Sequence, residues 1–137
     1  MIYPELLPLF KTVAKHLLTQ NKQSCGDGSK CSPLKGQCLY KGPNSLSCAV
    51  GCLIKDEFYT EYNMEGQGIE SRGVSDGLVK SGITLTPETV RLLKLLQYTH
   101  DDYAVEDWKL TLIDNAIYFF DMEMDEAVSI VNSLIEV

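Results

Sequence analysis

A chain of 137 residues with 45% apolar content can form one hydrophobic core without help from disulfides or metal. Its net charge of −7 speaks against a protein that coats nucleic acid, because phosphate neutralisation supplies most of that affinity. No run approaches the ~18 apolar residues of a membrane span, and residues 1–10, with Glu5, two prolines and no basic lead, do not read as a secretory signal.

The expected setting is therefore the cytoplasm, with no membrane partner. Five cysteines cannot all pair within one chain, and in a reducing compartment free thiols packed as small hydrophobes are the default. Charge is uneven: residues 1–55 hold seven lysines against Glu5 and Asp27, whereas residues 56–137 hold five basic and seventeen acidic groups.

Leu6, Phe10, Val13, Ala14, Leu17 and Leu18 recur at helical spacing, which predicts a first helix entered through Pro4 or Pro8 and ending near Asn21. His16 falls on its polar side and is expected at the surface. Residues 22–37 are rich in Gly, Ser and Lys and predict a long mobile loop carrying Cys25 and Cys31. Residues 37–41 are β-compatible, and Gly42-Pro43-Asn44 forces a turn. Asn44 or Ser45 is then expected to cap a second helix over 46–54, apolar nearly all round and so buried, closed by the charged step Lys55-Asp56-Glu57.

Residues 58–82 read as irregular, with one short helix around 75–80. Thr86 and Pro87 open a helix with Val90, Leu93, Leu96 and His100 on one face. A further helix covers 106–119, and Asp121 or Asp125 starts a last one. The fold class is mainly α: a single compact domain, 1–137, of about five helices with a small β-hairpin or extended segment near residues 37–43.

The expected second-helix start carries the chemistry. The first amides of a helix lack internal partners and face a positive dipole end, which favours an anion. Lys41 would add charge, Asn44, Ser45 and Ser47 polar contacts, and Tyr40 a stacking face. Cys48 would lie one turn into that helix, where a thiol is acidified. With His100 as base and Asp101 as orienting carboxylate it forms an alternative, catalytic set. The cysteine spacings match no common zinc pattern. Cys48 and Cys52 are near enough to form one ligand pair, with Cys38 and His100 as partners, but no cofactor or metal is expected. Calcium-loop, HExxH, phosphate-loop and dinucleotide motifs are absent from the sequence.

The run Cys38, Tyr40, Lys41, Gly42, Pro43, Cys48, Ala49, Val50, Gly51, Cys52, Leu53, Ile54, Asp56, Glu57 and Tyr59, with Leu92, Leu93, Leu96, Gln97, His100 and Asp101, resembles a family of small bacteriophage and prophage proteins. One departure is Ser45-Leu46, where relatives often carry a glycine after the turn. The resemblance implies a phage accessory protein acting in the bacterial cytoplasm, and small phage proteins include antagonists of host defence that sequester nucleotide signals. The leading expectation is thus a non-enzymatic, self-associating protein that holds an anionic, nucleotide-like molecule over residues 40–47. A cysteine hydrolase or transferase is the first alternative. An acidic inhibitor of a host nucleic-acid-binding factor is the second.

Overall fold

The computed structural model describes residues 1–25 and 38–135. A 3-10 turn, Pro4–Leu6, leads into α1, Leu7–Gln20, which Asn21 closes in the left-handed conformation. Residues 26–37, most of the expected mobile loop, lie outside the described residues. Helices α2 (Asp56–Glu61), α3 (Arg72–Lys80), α4 (Pro87–Asp102), α5 (Trp108–Phe120) and α6 (Met124–Ser133) follow. No described helix is long and apolar enough to cross a membrane.

Two cores share α4 as a common wall. On one side Phe10, Val13 and Leu17 of α1, Leu92 and Leu96 of α4, Trp108, Leu112 and Phe120 of α5 and Val131 of α6 close a helical cluster. On the other, Leu93 meets Val50, Ile54, Met64, Val74 and Leu78 under the irregular segment. The alternation of Leu92 and Leu93 between cores follows from a 100° step per residue, which turns neighbouring side chains to different faces.

Most helical expectations hold. Thr86 accepts the N–H of Thr89 at its side chain and caps α4. Two helix ends differ: Asp121 closes α5 with φ 51° instead of opening α6, and Glu123 precedes α6.

The expected helix over 46–54 is not formed. A 3-10 turn at Pro43–Ser45 and another at Gly51–Leu53 flank extended and turn residues, and α2 starts at Asp56, where the end of a helix was expected. Asn44 and Ser45 both adopt positive φ, 57° and 63°, the left-handed region, so neither is itself a turn of right-handed helix. Asp56 and Glu57 favour a helix beginning, since carboxylates offset the positive dipole end. Gly51 fixes the fold-back: a Cβ there would collide with the carbonyl of Tyr40. The extended segment is represented by two isolated antiparallel bridges, Cys25 with Cys38 and Lys41 with Ser47.

Candidate ligand-binding cleft

The turn over residues 40–48 spends its amides internally. Gly42 donates to the carbonyl of Leu46 at 2.7 Å, Cys48 to that of Tyr40 at 3.3 Å, and Ser47 to Gln20 Oε1 at 2.9 Å. Tyr40 and Lys41 donate their N–H groups to the Glu65 carboxylate at 2.9 and 3.2 Å, and Tyr59 adds its hydroxyl at 2.7 Å. An anion therefore does sit on this turn, but it is the chain's own. Burial first, then the bond to Glu65, pushes the Tyr59 phenol up to about 12.

The residues expected to bind an anion are split apart. Lys41, Ser45 and Ser47 line a shallow hollow in which the Lys41 ammonium contacts Asp56 at 3.2 Å. Asn44 is exposed on the turn. Tyr40 points the other way: it is buried, and its hydroxyl donates to the carbonyl of Gln67 at 2.6 Å. Without a helix start, the amide cluster proposed to grip phosphate does not exist.

The catalytic set is brought near but is not engaged. His100 Nδ1 and Asp101 Oδ1 are 2.6 Å apart, so the two expected partners meet. Cys48 lines one cleft with Asp101 and Gln97, but it is 1% exposed, with the N–H of Gly51 on its sulfur at 3.3 Å. Burial outweighs that bond and drives its thiol up to about 12, the opposite of acidification. His100 is fully buried, and the backbone N–H of Ser24 donates to Nε2 at 2.9 Å. An N–H can only donate, so Nε2 is the acceptor, the proton sits on Nδ1, and the ring has no lone pair left for a thiol.

The histidine is a junction: its carbonyl accepts from Gln23 at 2.9 Å and its ring lies 5.5 Å from that of Trp108. His16 corrects the surface expectation as well. It is half-buried, and its Nε2 donates to the carbonyl of Ser47 at 2.9 Å.

The thiols depart from the all-free expectation. Cys25 and Cys38 are disulfide-bonded, and Cys48 and Cys52 are free. Cys52 donates to the carbonyl of Ala49 at 3.1 Å, and burial raises it to about 12. Of the weak zinc candidates, only Cys38 and His100 come together, joined by Asp101: one ligand atom from each lies within 4.8 Å of the others.

A cleft of about 350 Å³ opens between the loop 66–69 and the outer side of α4. Its floor includes Tyr40 and Cys38, and its α4 wall carries Lys94, Gln97, Tyr98 and Asp101. Offsets of three, four and seven residues place these on one stripe. Gln97 accepts the N–H of Val50 at 3.0 Å and donates to Asp101 Oδ1 at 2.8 Å. Asp101 is thus held by Gln97 and His100 through one oxygen, while Oδ2 makes no hydrogen bond among the described residues. Lys94 reaches the exposed Glu70 at 2.7 Å, and Tyr98 is 57% exposed beside Tyr103, ring to ring at 5.8 Å. Lys94, Tyr98 and Asp102 escaped the sequence reading, although the stripe Lys94–Tyr98–Asp101 is visible once α4 is drawn as a helix.

Fold and cleft together define a small, mainly helical domain with a pocket of ligand size on the flank of α4. Compared with known proteins, the chain matches no family model, no curated protein and no solved structure.

Proposed function

We propose that the chain is a binding protein rather than an enzyme, and that its ligand is a small nucleoside- or nucleotide-type molecule held in the α4 cleft. The carrying observation is Asp101, fixed by Gln97 and His100 on the cleft wall beside the open ring of Tyr98. A carboxylate already held in place accepts hydroxyl or amino donors without paying for its own ordering. Tyr98 offers a flat face to a base. Lys94 can exchange the exposed Glu70 for a phosphate at little cost, since surface ion pairs contribute about 0–1 kcal/mol.

The volume suits such a ligand, which ordinarily occupies a cleft of roughly 300–1,000 Å³. The neutral, buried thiol of Cys48 and the fully engaged imidazole of His100 favour retention over turnover. Sequestering a nucleotide-type signal as a phage accessory protein is the role in which this chemistry and the motif resemblance meet.

Calorimetric titration of the full chain with adenosine, AMP, ADP-ribose and a cyclic dinucleotide tests the reading. At least one should bind tighter than about 1 mM. Tyr98→Ala and Asp101→Asn should each weaken it roughly tenfold, about 1.4 kcal/mol. Lys41→Glu, in the separate hollow, should leave affinity as it is. Absence of binding across the panel, or affinity in the Tyr98 and Asp101 variants equal to that of the wild type, overturns the assignment.

A further inference from the structure

The disulfide-bonded sulfur of Cys38 lies on the cleft floor, next to His100 and Asp101. Sulfur, imidazole and carboxylate together make a donor set for a borderline-soft divalent ion such as zinc, and neither oxygen-seeking calcium nor magnesium suits it. Two features withhold these donors in the oxidised chain. A disulfide sulfur has no thiolate charge to give. Both nitrogens of His100 are also in use, Nδ1 toward Asp101 and Nε2 under the N–H of Ser24.

Both restraints trace to the same short pairing. Cys25 and Cys38 face each other across an antiparallel bridge, and Leu39 donates to the carbonyl of Ser24 at 2.7 Å. Ser24, which occupies Nε2, is thus the immediate neighbour of one disulfide-bonded cysteine and the backbone partner of the residue after the other.

We infer that Cys38, His100 and Asp101 form a redox-gated zinc site, closed while Cys38 is in a disulfide and opened when it is reduced. A dithiol reductant delivers two electrons and two protons to the disulfide, leaving two protein thiols and its own cyclic disulfide. The zinc ion then displaces the proton of the Cys38 thiol and bonds to the thiolate. Loss of the cross-link lets residues 23–25 withdraw from α4, so the ring proton moves from Nδ1 to the vacated Nε2 and the Nδ1 lone pair, beside Asp101, faces the ion. Three protein ligands leave the fourth tetrahedral position on the cleft side, open to water or to a ligand.

Bond lengths of about 2.0–2.3 Å put tetrahedral donors roughly 3.5 Å apart. The present 4.8 Å envelope therefore closes with a shift of about one ångström. The Cys48 and Cys52 thiols are not part of the set. The inference stands apart from the ligand reading: a chain that binds metal but no nucleoside keeps this site and loses the other.

Cobalt titration of the full chain, oxidised and dithiol-reduced, tests it. Reduced protein should take one equivalent with a sulfur-to-cobalt charge-transfer band and tetrahedral visible bands, and oxidised protein should show neither. Reduced Cys38→Ser should lose the charge-transfer band, and reduced Asp101→Asn should bind at least tenfold more weakly. The Cys25→Ser and Cys48→Ala/Cys52→Ala variants should keep the band. A silent reduced wild type, a band that survives Cys38→Ser, or one that vanishes with Cys25, Cys48 or Cys52 overturns the site.

Discussion

Glu65 receives the backbone N–H of Tyr40 at 2.9 Å, across 25 positions of sequence, and with it the turn acquires an internal anion. The same carboxylate also takes the N–H of Lys41 and the hydroxyl of Tyr59. A charged acceptor on three donors anchors the irregular half of the molecule to residues that no local pattern connects.

Removing this carboxylate has a defined cost. Glu65→Ala leaves two part-buried amides without their acceptor, and hydrogen bonds to charged groups contribute about 1.5–3 kcal/mol each. Urea unfolding should show a loss of at least the worth of one such bond, about 1.5–3 kcal/mol, for the variant. Added sulfate should restore part of it, because the vacated amides again offer an anion site, and should stabilise the wild type far less. Equal sulfate responses in both proteins would remove Glu65 from this role.

Gly51 and Gly66 separate steric from conformational cost. At Gly51 a methyl group would enter the carbonyl of Tyr40, so Gly51→Ala should cost at least about 3 kcal/mol by overpacking and backbone displacement. Gly66 has φ +78° and nothing within 4 Å of an added Cβ, so Gly66→Ala should cost only about 1–2 kcal/mol. Thermal melts of the two variants check the ordering.

The helical half was legible because its signals are local. Thr86-Pro87 marks the start of α4 within two residues, and the spacing of Phe10, Val13, Ala14 and Leu17 defines the buried face of α1. Residues 46–54 were misread because an unbroken apolar run is equally compatible with a buried helix and a buried irregular segment. What decides between them is the left-handed pair Asn44-Ser45 and the contact of Gly51 with Tyr40, and neither is encoded by periodicity. The site was half visible. Gln97, His100 and Asp101 stood in a recognisable motif, but the motif could not reveal that Gln97 clamps Asp101 while Ser24 occupies the histidine. Pairing Cys48 with His100 failed for a related reason: the partners that occupy both ring nitrogens are distant in sequence or hidden in the motif.

His16 makes stability depend on acidity in a predictable direction. Burial holds its imidazole below the ordinary 6.5, against the bond to Ser47, which raises it. The unfolded chain therefore binds a proton first as pH falls. The contribution is complete above about 6.5 and is lost as pH drops toward and through the lower folded value. Urea midpoints measured from pH 7.5 to 5 should fall for the wild type more than for His16→Gln. Parallel curves would mean that protonation of this ring is not opposed by the fold.

Cys48 titrates in the opposite sense, away from the acidified thiol a nucleophile needs. Its thiol moves from 9.0 up to about 12, so the folded state keeps the proton that the unfolded chain surrenders. Stability from this group is whole below pH 9 and declines as pH rises toward 12. Cys48→Ala should flatten that alkaline decline. In the native chain at neutral pH, iodoacetamide should not modify Cys48 until denaturant is added, because alkylation needs thiolate and access, and burial denies both. Rapid native labelling at Cys48, read by peptide mass, would mean that the sulfur is reachable and acidic, and the hydrolase or transferase alternative would then regain its nucleophile.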